Sequence, residues 1–112
     1  MNKHNKGTRY ELEARKLLEA DGWLCEKKNY NRWAAKDFYN LFDILAIKKN
    51  KVRLIQIKTN VSDFYKSRIA IQTWIMENEI KGISCEVWLR LPKKEWRCEK
   101  MTSQNPLQTI VV

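Results

Sequence analysis

A carboxylate, an amide and an ammonium group stand in two short apolar segments of this 112-residue chain. Asp43 follows Phe42, and Gln56 and Lys58 flank a single isoleucine. Side chains two residues apart point to the same face of a β-strand, so Gln56 and Lys58 share a face. A half-buried acid beside a lysine is costly unless it binds something, and this grouping therefore indicates a chemical site.

Whether Asp43 joins the other two side chains depends on the register of a hairpin. Residues 41–47 and 52–57 have the pattern of its two strands. A two-residue loop at 49–50, or a four-residue loop, places Asp43 opposite Gln56. A three-residue loop would turn Asp43 to the other face, because a one-residue slip inverts every side chain of a strand.

The composition predicts one small globular domain that spans residues 1–112. Apolar residues make up 44% and charged residues 31% of the chain, values typical of globular proteins with a single core. No apolar run is long enough to cross a bilayer, and the first residues lack the apolar segment of a signal peptide. Three cysteines without Cys-x-x-Cys spacing favour small buried side chains in a reducing, cytoplasmic compartment over a zinc site.

The net charge of +9 is the second clue to function. Clustered lysines and arginines on so small a domain are typical of proteins that bind the phosphate backbone of nucleic acids. Trp33 lies in a basic segment where an indole could stack on an exposed base. The expected nucleic-acid contacts are Lys6, Arg9, Lys28, Arg32, Trp33, Lys36, Lys66 and Arg68. A membrane surface fits less well, because no segment combines a basic face with a long apolar one.

Hydrophobic periodicity predicts two helices. The first covers residues 8–21 and ends at Gly22, and the second covers 64–80 and ends at Gly82. Asn60 and Ser62 have the character of turn residues that cap the second helix, with Asp63 as its N-cap. The predicted core stripe of the second helix consists of Ile69, Thr73, Met76 and Ile80, widened by Ile71, Trp74 and Ile75.

Alternating patterns predict strands at 23–30, in the hairpin, at 84–91 and at 95–101. Residues 31–38 have the character of a loop, and 110–112 fit either a short edge strand or a frayed end. The predicted order is α-β-β-β-α-β-β. Such an order is typical of an α/β fold in which helices flank a mixed β-sheet.

An acid on the first helix, Asp43 in a hairpin and a Gln-x-Lys strand followed by a helix resemble the PD-(D/E)XK nuclease superfamily. Within it, the stretch Lys6-Gly7-Thr8-Arg9-Tyr10-Glu11 and the later Gly22-Trp23 are similar to the start of archaeal-type Holliday junction resolvases. The spacing from Glu11 to Asp43 and Gln56 is similar as well, and the resemblance covers residues 6–91. It departs at Gln56, where resolvases have Glu, and at 31–33, which replaces a small Ser/Gly segment. The Gln-x-Lys variant is similar to that of Mrr-like restriction nucleases.

This resemblance implies a restriction-endonuclease-like fold and a Mg²⁺-dependent endonuclease that cuts branched DNA. The implied catalytic residues are Glu11, Asp43, Gln56 and Lys58. The metal ligands would be the side chains of Asp43, Gln56 and Glu11 and the carbonyl of Ile57, oxygen donors of the kind that Mg²⁺ prefers. Mn²⁺ would also support activity, and no small-molecule cofactor is expected. Symmetric cutting of two strands by a domain with one active centre implies a homodimer.

Two residue-level alternatives and three functional ones stay open at this point. Glu11 and Thr8 also match a capping box, in which Glu11 would only satisfy backbone amides at the start of the helix. Asp43 and Lys58 could be ordinary surface residues. The chain could also be a DNA-binding module of the same fold that has lost turnover, a broader Mrr-like nuclease, or a basic domain that binds an acidic protein.

Overall fold

The computed structural model describes residues 3–27, 29–30, 35–36, 38–39, 41–102 and 108–109. These described residues form two helices and eight strands. They are α1 (Lys3–Ala20), β1 (Leu24–Lys27), β2 (Asn29–Tyr30), β3 (Ala35–Lys36), β4 (Ile44–Lys48), β5 (Lys51–Lys58), α2 (Val61–Glu77), β6 (Ile83–Leu91), β7 (Glu95–Met101) and β8 (Gln108–Thr109). The predicted order of helices and main strands is confirmed, with the short strands β2, β3 and β8 in addition.

Six strands form one mixed sheet in the order β1-β4-β5-β6-β7-β8, while β2 pairs with β3 alone. Strands β5 and β6 run parallel, because α2 forms the crossover between them. The C-terminal ends of β5 and β6, at Lys58 and Leu91, therefore meet at one edge of the sheet, which we call the Lys58 edge. Their N-terminal ends, at Lys51 and Ile83, lie at the opposite edge, which we call the Lys51 edge.

The two helices cover opposite faces of this sheet. On one face α1 packs over a cluster that includes Ile55, Ile57 and Trp88. On the other face α2 packs over Leu54 and Val87. Both faces of β6 are consequently covered, and all five residues from Cys85 to Leu89 are buried.

Gly22 ends α1 as predicted. Its φ is +92°, in the left-handed region that glycine adopts without steric cost. The Trp23 amide donates to the Leu18 carbonyl (3.1 Å) and the Gly22 amide to the Glu19 carbonyl (3.0 Å), which is the hydrogen-bond pattern of a Schellman motif. The chain therefore turns directly from α1 into β1.

The predicted bounds of α2 and the predicted N-cap Asp63 are wrong by a few residues, while the predicted capping role of Asn60 is confirmed. Asn60 is the N-cap, since its side chain accepts a hydrogen bond from the Asp63 amide, so the helix begins before residue 64. At the other end Glu79, with a φ of +51°, takes the left-handed position. The Ile80 amide donates to the Ile75 carbonyl, and the helix ends well before Gly82.

The predicted core stripe of α2 is also wrong in part. Phe64, Ile71 and Ile75 are its buried residues, whereas Ile69 is 68% exposed and Met76 is 57% exposed. Phe64, Ile71 and Ile75 are seven and four residues apart and therefore form one stripe, while Ile69 and Met76 lie on the other side of the helix.

The three cysteines are free: Cys85 and Cys98 are buried, and Cys25 is half-buried. Burial raises the pKa of the Cys85 and Cys98 thiols to about 12. They therefore behave as the small core side chains that the sequence predicted. Within the described part of the chain, no helix has the length and apolar character needed to cross a membrane.

Candidate active site

The β4–β5 hairpin has the two-residue loop that the sequence offered as one alternative, but its regular pairing stops before Asp43. Lys48 pairs with Lys51 and Leu45 with Leu54 across the two strands, which leaves a two-residue loop at 49–50. This register ends at Ile44, which pairs with Ile55. The Asp43 amide donates to the Ile55 carbonyl (2.8 Å), so the pairing slips by one residue just beyond the end of β4, as in a β-bulge.

The carboxylate of Asp43 is fixed by the backbone of the neighbouring strand. Only 2% of this residue is exposed, and its Oδ2 accepts a buried hydrogen bond of 2.8 Å from the Ile57 amide. The side chain thus takes the place of a backbone acceptor where β4 no longer pairs with β5. Since the amide and carbonyl of one strand residue point to the same side, the Ile57 carbonyl lies on the Asp43 side of β5.

Gln56 and Lys58 occupy one face of β5, at its C-terminal end. They alternate with Ile55 and Ile57, which belong to the cluster under α1, so both point to the face that α2 covers. Gln56 is 7% exposed and Lys58 is half-buried. An amide and an ammonium group therefore lie on the two residues next to Ile57, whose amide holds the Asp43 carboxylate.

Glu11 belongs to the same edge but comes from the other side. Helix α1 begins at Lys3, so Glu11 lies in the interior of the helix and the capping box with Thr8 is ruled out. The neighbouring Glu13 receives two hydrogen bonds from Arg90, of 2.8 and 3.2 Å, and Arg90 directly precedes the end of β6. This part of α1 consequently lies at the Lys58 edge, on the face opposite to that of Gln56 and Lys58.

The donor atoms at this edge suit a hard cation that needs few negative charges. Asp43 offers a carboxylate, Gln56 an amide oxygen and Ile57 a backbone carbonyl, all of them ligand types for Mg²⁺. Within the described residues, no three or more of His, Cys, Asp and Glu gather in a metal-ligand arrangement. Any cation bound here would therefore be held largely by neutral oxygens.

The predicted nucleic-acid contacts fall into four groups. Arg9 and Lys66 are exposed, and the Arg9 guanidinium lies 4.9 Å from the centre of the Tyr10 ring. Arg68 has a side chain that is 12% exposed, with Nε 3.1 Å from a carboxylate oxygen of Glu99. For Lys6 and Lys36 only the backbone is described, in α1 and β3. Lys28, Arg32 and Trp33 lie outside the described residues.

Sequence reasoning missed a buried ion pair on the α1 face. Arg53 donates to both carboxylate oxygens of Glu86, each at 2.7 Å, and Glu86 is 1% exposed. Burial alone would lower the pKa of Arg53, but the hydrogen bonds to Glu86 outweigh it and the pKa is raised. The strand alternation carried no signal for this pair, because charged residues at alternate positions usually face water.

Comparison with known proteins identifies a solved structure of similar fold. No family model matches the chain, and no curated protein matches it. Among solved structures the chain is similar to Hjc, a Holliday junction resolvase from the archaeal hyperthermophile Archaeoglobus fulgidus, with a TM-score of 0.54 and 18% identity over 91% of this chain and 84% of that one. The predicted restriction-endonuclease-like α/β fold is confirmed.

Proposed function

We propose that this protein is a metal-dependent DNA endonuclease that acts on branched DNA. The observation that carries the proposal is the carboxylate of Asp43, held by the Ile57 amide beside Gln56 and Lys58 at the C-terminal end of β5. The fold shared with a Holliday junction resolvase and the net charge of +9 support the same substrate.

Each residue at the edge has a distinct role in this proposal. Asp43, Gln56 and the Ile57 carbonyl would hold a divalent cation, with Mg²⁺ or Mn²⁺ as candidates and Glu11 as a further ligand. A bound cation supplies an activated water and neutralises charge on the phosphate. The Lys58 ammonium group would orient that water by hydrogen bonding through Nζ and would stabilise the negative charge that develops on the phosphate oxygens.

The basic surface serves a different purpose in the same proposal. Lysine and arginine contacts to phosphates position DNA without reading its sequence, so binding depends on shape and falls steeply with salt. A homodimer would present two such sites to the two strands of a junction.

A second candidate is a DNA-binding module of the same fold without turnover. The observation that favours it is Gln56, an amide at a position where resolvases carry an acid, which leaves the edge with fewer negative charges to hold a cation. Both candidates predict salt-sensitive DNA binding, and only the nuclease predicts strand cleavage.

The deciding experiment measures cleavage of a labelled four-way junction, a duplex and a single strand with Mg²⁺ or Mn²⁺. The wild type is compared with Asp43→Asn, which keeps a hydrogen-bond acceptor for the Ile57 amide but removes the charge. We expect the variant to cut about a hundredfold more slowly or worse, since a metal contributes several kcal/mol to such reactions.

The matched control is Asp21→Asn, which makes the same change at an exposed aspartate whose carboxylate lies 3.8 Å from Nζ of Lys48, near the Lys51 edge. It should cut like the wild type. Equal cutting by Asp43→Asn and the wild type would refute the assigned site. Tight binding by the wild type without cleavage in either metal would leave the binding module as the function.

A further inference from the structure

The turn between β6 and β7 has a backbone that its residues do not favour. Lys93 and Lys94 have φ angles of +62° and +60°, and the Glu95 amide donates to the Pro92 carbonyl (3.4 Å) to close the turn. Leu91 pairs with Glu95, so the loop has three residues, 92–94, and its last two take positive φ, a conformation that Gly and Asn adopt at the least cost. For a lysine the left-handed conformation brings Cβ too close to the following carbonyl oxygen, so this turn is strained.

The strained turn lies at the Lys58 edge. Lys58 is aligned with Leu89 in the parallel pairing of β5 and β6, and the centre of the turn follows about four residues later, roughly 13 Å beyond Lys58 along the strand direction. The other basic hairpin turn, at 49–50, lies at the Lys51 edge. Lys93 and Lys94 thus lie in the turn that follows β6, the strand next to β5, and beyond the candidate catalytic residues at the end of β5.

The ammonium groups of this turn are available to a ligand. Lys93 and Lys94 are both exposed, and within the described part of the chain neither forms an ion pair with a carboxylate. At the other turn Lys48 donates to the Asp21 carbonyl (2.6 Å). Lys49 and Lys51 are exposed in the same way as Lys93 and Lys94 and therefore serve as matched controls. Exposed Glu95 is the acidic residue next to the turn, so the local charge remains positive.

We propose that the Lys93–Lys94 turn is a phosphate-binding site that contacts the DNA backbone close to the point of cleavage. The inference rests on the proposed function, since it assigns a place on this chain to the DNA that Asp43 would cut. Strained backbone clusters at binding sites, and among the described non-glycine residues with positive φ, which include Lys49 of the other turn, Lys93 and Lys94 are the adjacent pair. The distance from Lys58 corresponds to about four base-pair steps of 3.4 Å, which places the contact within one turn of duplex.

Two lysines at this site would position DNA without reading bases. The ammonium group is a point charge that binds phosphate without the planar fork of arginine. Each phosphate neutralised releases counterions, so each contact adds about 0.9 to the slope of log K against log salt concentration. The site therefore makes a quantitative prediction that a general effect of net charge does not make.

The test compares three double variants of the full chain for binding to a labelled four-way junction in EDTA at several salt concentrations. Lys93→Gln with Lys94→Gln removes two charges and keeps the strain. Lys93→Asn with Lys94→Gly removes the same charges and relieves the strain. Lys49→Gln with Lys51→Gln is the control, with the same change in net charge at the Lys51 edge.

We expect both variants of the 93–94 turn to bind the junction about 10- to 100-fold more weakly near 0.1 M salt. The magnitude of the slope of log K against log salt concentration should decrease by about 1.8. The control should change affinity by less than about threefold and leave the slope unchanged, because its charges lie far from the bound DNA. The Asn-Gly variant alone should also raise the Tm, by roughly 4 °C or more.

Equal losses in the control and in the 93–94 variants would overturn the site, since net charge alone would then explain binding. A lower Tm for the Asn-Gly variant would overturn the strain on which the inference depends. If the wild type cuts DNA and the 93–94 variants bind normally, only this inference fails. If the wild type shows no salt-sensitive DNA binding, the proposed function fails and this inference with it.

Discussion

Two buried acids on the same sheet, Glu86 and Asp43, are held in different ways. Glu86 accepts two hydrogen bonds from Arg53, one of 2.6 Å from the Ser84 hydroxyl and one of 3.0 Å from the Trp88 indole, so that each carboxylate oxygen has two donors. Asp43 is positioned by a backbone amide, with an amide and an ammonium side chain at the same edge. Burial of an acid therefore does not mark a site by itself; the kind of donor around it does.

Glu99 belongs with Glu86 in this comparison. It is 4% exposed, and it accepts from Arg97 at 2.7 Å while Nε of Arg68 lies 3.1 Å away. The hydrogen bond to Glu99 raises the pKa of Arg97. These guanidinium groups neutralise Glu99 from two elements, α2 and β7, so this acid joins the helix to the sheet.

The largest expected effect separates the structural acid from the candidate catalytic one. Glu86→Ala leaves the Arg53 guanidinium buried against Trp23 and Trp88 without its carboxylate, and we expect a loss of about 3–5 kcal/mol in the free energy of unfolding. Asp43→Asn keeps an acceptor for the Ile57 amide, so its loss should be at most about 2 kcal/mol. Urea unfolding of the two variants measures both values.

The control for Glu86→Ala is Arg53→Met with Glu86→Leu, which removes both charges and keeps apolar volume. Replacing a whole buried pair is often close to neutral, so the double variant should recover most of the loss. Similar losses for Asp43→Asn and Glu86→Ala would contradict the distinction between the two acids.

The second effect concerns the charge at the Lys58 edge. Gln56→Glu adds a second carboxylate beside Asp43, and metal affinity rises with the number of charged ligands. We expect the apparent Kd for Mg²⁺ to fall by about tenfold or more, and the rise in Tm on adding Mg²⁺ to exceed that of the wild type by the linked free energy.

The Tm readout matters because it does not depend on cleavage. Gln72→Glu, the same substitution at a half-buried position of α2, controls for added charge. Saturation of wild-type cleavage at low micromolar Mg²⁺ would contradict the weak, amide-containing site, as would equal Mg²⁺ stabilisation of the wild type and Gln56→Glu.

The parts of the site that sequence could predict depend on strict periodicity. The two-residue period of β5 places Gln56 and Lys58 on one face, and the two-residue hairpin loop brings Asp43 to the same end of β5, where the one-residue slip at Asp43 was not predictable. The parts that it missed depend on tertiary packing. Alternation in β6 does not show that α1 covers the face of Glu86, and nothing in the pair Lys93-Lys94 indicates a left-handed turn, because turn preferences favour Asn and Gly there.

The third and smallest effect concerns the reactivity of the cysteines, which reports on the packing of the two faces of the sheet under α1 and α2. Cys98 belongs to the α1 cluster and Cys85 to the α2 cluster, and burial, reinforced by the charge of Glu86, raises the pKa of each thiol to about 12. Half-buried Cys25 has a pKa raised mainly by partial burial. At pH 8 we expect an alkylating reagent to modify Cys25 first, since the thiolate is the reactive form.

The same shifts set a sign for stability against pH. The folded chain binds the Cys85 and Cys98 protons more tightly than the unfolded chain. Their contribution to the free energy of unfolding is therefore complete below pH 9 and is lost as pH rises from 9 to about 12.

Mass spectrometry after timed alkylation, with Cys25→Ser as the control, measures the order in which the three cysteines are labelled. Labelling of Cys85 and Cys98 as fast as that of Cys25 in the wild type would show that the two clusters open locally. Faster labelling of Cys85 and Cys98 in Glu86→Ala, but not in Asp43→Asn, would show that Glu86 has the structural role and Asp43 does not.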